Sequence, residues 1–164
     1  MDMKKTVGLP DAPLAVSSVP AHCTASERIA AVEMQLARLK AICRSEPGGN
    51  GATLCEDPRF RRRITELEIA TLTLRWLEPR CSPHASAILE LSLLDLADRL
   101  DEALFEAVEP YAAPSQTSLG HNARVGPAYA RGIAEAYISG RFEASRHAVR
   151  GHARDAIAAS LFER

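Results

Sequence analysis

The densest chemistry in this chain is the arginine run Arg59, Arg61, Arg62 and Arg63, which follows directly on Asp57-Pro58. Guanidinium forks pair with phosphates and carboxylates through two parallel hydrogen bonds. At a helix start, where this run falls, each cation opposes the helix dipole at a cost of about 0.3–1 kcal/mol unless an anion offsets it. Two readings follow: a solvated face paired with Glu56, Asp57 or Glu66, or a phosphate-binding or subunit-contact surface. His22, His84, His121, His147 and His152 are scattered along the chain. His147 and His152, the nearest pair, would be turned about 500° apart on a helix, some 140° from a common face, so surface positions are expected rather than shared metal ligation. Cys23, Cys43, Cys55 and Cys81 make no C-x-x-C pair and have no histidine at zinc-ligand spacing, which predicts reduced, mostly packing thiols and no metal site. No G-x-S-x-G elbow, phosphate-binding glycine loop or H-E-x-x-H helix is present. What remains is the stretch Ala136-Tyr137-Ile138-Ser139-Gly140-Arg141, between two helical segments. It is either a glycine joint or the worn copy of an active-site turn. Ser139 and Ser145 near His147 do not make a nucleophile by adjacency alone.

The elements that would position these residues are helices. Hydrophobic residues make up 46% of the chain and aromatics only 5%, with Ala and Leu abundant and β-branched residues sparse, a balance that favours helix over sheet. At 164 residues one domain with a sizeable core is expected without disulfide or metal staples. Twenty basic against 21 acidic side chains leave no overall field to recruit nucleic acid or an anionic membrane. Residues 1 to about 22 carry Pro10, Pro13 and Pro20 and no period, and read as a disordered leader to a folded domain over 23–164. The same prolines interrupt any signal-peptide core, and no apolar run approaches membrane-spanning length, so a soluble cytoplasmic protein is expected.

Thr24-Ala25-Ser26-Glu27 has capping-box spacing and opens a first helix over about 25 to 45, carried by Ile29, Val32, Leu36, Leu39 and Cys43 and stopped at Gly48-Gly49. Asp57-Pro58 opens a second, about 58 to 77, with a capping carboxylate and a proline at the first helical position. Phe60, Ile64, Leu67, Thr71 and Leu74 form its stripe, which Ile69, Leu72 and Trp76 are expected to widen. Ser82-Pro83 repeats the start, and Ile88, Leu89, Leu91, Leu93, Leu94, Leu96, Leu100, Leu104, Phe105 and Val108 run unbroken to Pro110. A helix apolar round so much of its girth is an interior one. A loop over 110–123, a fourth helix over about 127 to 138 and a fifth over about 141 to 161, weakened in its middle by Gly151, complete an all-α antiparallel bundle of four to five helices.

Asp57-Pro58-Arg59-Phe60-Arg61, Thr65-Glu66-Leu67-Glu68-Ile69, Ala85-Ser86-Ala87-Ile88-Leu89 and Glu109-Pro110-Tyr111-Ala112-Ala113-Pro114 occur in an order that resembles the C-terminal helical domain of bacterial acyl-CoA dehydrogenases. The resemblance covers about 25 to 150 and implies that family's helical bundle. It places the catalytic-glutamate position at Ser139, or at Ile138 with one inserted residue, so neither register supplies a carboxylate. A serine hydroxyl cannot unaided remove the proton alpha to a thioester. Gly140, Glu143 and Arg146 match as scaffold. The family's C-terminal domain lends its neighbour's flavin an arginine, for which Arg44 would stand, and a glycine-rich segment, here around Gly140. The domains that hold most of the FAD have no counterpart here. The resemblance therefore implies no cofactor alone, with FAD only in an assembly. Three readings stay open: a stand-alone accessory or oligomerisation subunit without its own catalysis, the small subunit of a split FAD-dependent acyl-CoA dehydrogenase acting on CH–CH bonds, and a helical self-association module with no ligand. The implied partners are further copies of the chain or a flavoprotein subunit.

Overall fold

The structure is a computed structural model that describes residues 24–48, 51–80, 83–111, 127–138 and 141–162. The leader expected over 1–22, most of the expected loop over 110–123, His22, His121, Ser139 and Gly140 lie outside the described residues. Five α-helices make up the described chain: α1 (Ala25–Ser45), α2 (Pro58–Leu77), α3 (Pro83–Val108), α4 (Ala128–Ile138) and α5 (Arg141–Phe162). Single 3-10 turns at Leu54–Glu56, Glu78–Arg80 and Glu109–Tyr111 link them. No strand occurs among the described residues; one isolated antiparallel bridge joins Pro47 to Thr53.

Local chemistry sets the helix starts. The Thr24 N–H donates to Glu27 Oε2 at 2.7 Å and the Glu27 N–H to Thr24 Oγ1 at 3.3 Å, so the capping box satisfies two amides that the first turn of α1 would leave open. Asp57 Oδ1 accepts the Arg59 N–H at 2.8 Å, and Pro58 fills the position where a missing N–H has no consequence. Between these helices the chain reverses through a tight turn. Gly51 has φ +77°, in the left-handed region, and a Cβ on Gly48 would lie 3.2 Å from the Ala52 and Thr53 carbonyl oxygens. The two glycines are needed there for different reasons, one for backbone conformation and one for space.

The helix expected to be interior is the hub. α3 packs against each of the other four helices, and Leu93, Leu96, Leu100, Ala103, Leu104 and Val108 are buried along it. α1 contributes Val32, Leu39 and Ile42, α2 Phe60, Ile64, Leu67 and Leu74, and α4 Ala130 and Ile133 to the same core. Ion pairs mark the registers: Glu33 with Arg75 and Lys40 with Glu68 between antiparallel α1 and α2, Arg28 with Glu90 between α1 and α3, and Asp98 with Arg150 between α3 and α5. The Phe105 and Tyr137 rings stack at 4.3 Å, fixing the end of α4 on α3.

Two expectations about side-chain faces are corrected. Ile69, Leu72 and Trp76 do not widen the buried stripe of α2; they are 58%, 56% and 65% exposed. At 100° per residue they lie about 200°, 140° and 180° round from Leu67, on the opposite side of the helix. Ile88, counted with the interior of α3, is likewise exposed.

α5 continues through Gly151, whose added Cβ would meet nothing within 4 Å. Gly151→Ala is therefore expected to stabilise the fold by about 0.5–1 kcal/mol, because it narrows the unfolded ensemble and improves helix propensity without a clash. A urea midpoint measured beside the parent chain checks this.

Candidate functional site: the outer face of α2

The arginine run is largely consumed within the fold. Arg63 reaches across to α3, its two terminal nitrogens lying 2.6 Å from Glu102 and 2.5 Å from Glu106. Arg62 pairs with Glu66 one turn on, at 2.9 Å, and the Arg61 Nε donates to the Cys55 carbonyl at 3.2 Å. Glu56 and Asp57, expected among the carboxylate partners, accept backbone N–H groups of Thr53 and Arg59 instead. The guanidinium groups of Arg61, Arg62 and Arg63 thus point to different partners and do not converge as a phosphate site needs. Pairing with Glu66 was legible at i,i+4 spacing. The fork onto α3 joins residues far apart in sequence and left no local signal.

Arg44 is exposed in the last turn of α1, where the helix dipole alone favours a cation. Ile138 ends α4 and is 67% exposed. His147 and His152 are both exposed, and no group of three or more His, Cys, Asp or Glu that could hold a metal occurs among the described residues. A groove of about 460 Å³ runs between α2 and α3, over Leu74 and Leu96, with Ala70 and Leu77 on one wall, Leu91 on the other and Asp95 and Arg99 on its α3 side. Arg44 does not line it. The groove and Arg44, the arginine that the resemblance assigns to the cofactor, thus lie apart in the described chain.

Cys43 is fully buried. Burial first, then the neighbouring Cys55, push its thiol from the ordinary 9.0 up to about 12. The folded chain keeps this proton where the unfolded chain releases it. The associated stability is therefore intact below about pH 9 and declines as pH rises toward 12. Urea midpoints at about pH 8 and about pH 10 are expected to fall more steeply for the parent chain than for Cys43→Ala.

The feature that chemistry-bearing residues did not announce is apolar. Thr65, Ile69, Leu72 and Trp76 are all exposed and follow one another at spacings of four, three and four along α2. This is the a/d repeat by which one helix packs its knobs into the holes of another. The buried face of α2, Phe60, Ile64, Leu67, Thr71 and Leu74, has the same repeat. α2 thus carries two seams on opposite sides, one filled by its own fold and one facing outward. Glu68 and Arg75 flank the outer seam on one side. Arg80 sits over the Trp76 ring at 5.2 Å and donates to the Trp76 carbonyl at 3.2 Å, which steadies the indole at the end of the seam. The signal was present in the sequence as a second a/d pattern half a turn from the first.

Among the described residues no helix is long and apolar enough to cross a membrane. Compared with known proteins, the chain matches no family model, no curated protein and no solved structure.

Proposed function

We propose that this chain is a helical association module that pairs with a second copy of itself through the outer face of α2. The observation that supports this reading is the outward a/d seam of Thr65, Ile69, Leu72 and Trp76, whose three large apolar residues are each more than half exposed. An a/d seam fits a helix better than a flat surface or a small ligand, and a two-fold axis offers it the nearest complementary helix, its own copy. In the antiparallel arrangement Ile69 meets the partner's Leu72 and Thr65 meets the partner's Trp76. Each Glu68, paired with Lys40 of its own chain, then lies near the partner's Arg75, itself paired with Glu33, so the flank sets opposite charges beside each other without freeing either. Arg59 near the partner's Arg80 opposes the pairing at its ends. A seam of this length buries an area at the low end of specific interfaces, below about 1,200 Å².

The acyl-CoA dehydrogenase resemblance extends this proposal: a domain of that kind that has lost its base and keeps a subunit-packing role, acting as an accessory subunit. The test is sedimentation velocity over a concentration series, with the chain alone and co-expressed with a flavoprotein acyl-CoA dehydrogenase subunit, and with the visible flavin spectrum recorded for both. A colourless, concentration-dependent dimer of the chain alone is the expected result. A monomer at all concentrations would contradict self-association. Flavin bleaching by acyl-CoA only with the partner, lost in Arg44→Ala, would favour the split enzyme. Bound flavin that bleaches in the chain alone would overturn the non-catalytic reading.

A further inference from the structure

The reversal between α1 and α2 brings together two thiols that the sequence keeps apart. The Leu54 N–H donates to the Glu46 carbonyl at 3.0 Å and the Gly48 N–H to the Ala52 carbonyl at 2.5 Å, on either side of the Pro47–Thr53 bridge. Closing the turn in this way sets the last turn of α1, which carries Cys43, against the 3-10 turn that carries Cys55. Cys43 is 0% exposed, while Cys55 is half-buried and packs on the apolar cluster to which Cys43 belongs. The Cys55 side chain neighbours the Cys43 thiol across this turn, and both are free.

We propose that Cys43 and Cys55 are a redox modification site, which forms a reversible disulfide on reaction with a small-molecule disulfide and clamps the end of α1 to the start of α2. Exposure sets the order of events. Cys55 is the thiol that solvent reaches, so its thiolate attacks one sulfur of the oxidant, giving a mixed disulfide and releasing one small thiol. Cys43 then gives up its proton to solvent and attacks the Cys55 sulfur. The Cys43–Cys55 bond forms, the mixed S–S bond breaks, and the second small thiol leaves. Two protein thiols are oxidised and one small disulfide is reduced to two thiols. Burial disfavours the Cys43 thiolate, which slows the second step relative to attack by an exposed thiol in the same position. No neighbouring chain is needed, because the reversal sets both thiols side by side in one chain.

The test uses the full chain carrying Cys23→Ser and Cys81→Ser, incubated with oxidised glutathione and followed by intact mass, peptide mapping and thermal melting. The expected product has lost two hydrogens and carries no glutathione. Its peptide map links Cys43 to Cys55, and its Tm is higher by about 5 °C, since the closed loop constrains the unfolded chain. Dithiothreitol reverses all three changes. The Cys55→Ser version of the same chain, which keeps the buried Cys43, is expected to stay unmodified. A lasting glutathione adduct on Cys55, a disulfide between two chains, or an unchanged mass would overturn the proposal.

Discussion

Leu100→Ala is expected to lower the unfolding free energy by about 3–5 kcal/mol and the Tm by roughly 10 °C. Leu100 is 0% exposed on α3, the helix that every other helix packs against. Removing its isopropyl group takes away buried apolar area and leaves a void that cannot collapse onto one neighbour without disturbing another. Ile88→Ala, on the same helix but 55% exposed, is expected to change stability by less than about 1 kcal/mol. Urea unfolding of both variants checks the contrast. Similar losses at the two positions would contradict the placement of α3 as hub with Ile88 turned outward.

Leu72→Glu is expected to have the opposite profile. The monomer should keep its stability to within about 0.5 kcal/mol, because Leu72 is 56% exposed and is not one of the core residues. Self-association should weaken at least ~100-fold, since pairing would bury a carboxylate against the partner's Ile69 with nothing to neutralise it. Sedimentation velocity reads the second effect and chemical denaturation the first. Had Leu72 belonged to the core stripe, as helical spacing with a wide apolar face suggested, the same change would unfold the chain. The two measurements together therefore separate an interface residue from a core residue.

The helix ends were legible because their signals are local. Thr24 with Glu27, Asp57 with Pro58, and the breaks at Gly48-Gly49 and Pro79 each act within one turn; α1 and α2 begin within a residue of their start marks and end at Ser45 and Leu77, shortly before their breaks. The Thr53-Leu54-Cys55-Glu56 box carries the same signature, but it caps only a single 3-10 turn and no apolar period follows to point to it. Faces were harder to read. Ile69, Leu72 and Trp76 are apolar in both settings, and only the neighbours around α2 decide which of its two seams is covered. Contacts between distant residues were not legible at all: Arg63 onto Glu102 and Glu106, and Cys43 beside Cys55, depend on how the helices and the intervening turn are folded.

The central claim, that the outer face of α2 is where two copies meet, is tested most directly through Trp76, the one tryptophan in the chain. Its indole is 65% exposed in the single chain and is covered in the proposed pair. Tryptophan emission recorded over a dilution series, beside the weight-average mass from sedimentation, should move to longer wavelength as the mass falls from dimer to monomer, with one common midpoint. Leu72→Glu should show the long-wavelength emission and the monomer mass throughout. Emission that does not change on dilution while the mass does would place the contact on another face, and a monomer mass at every concentration would contradict the account.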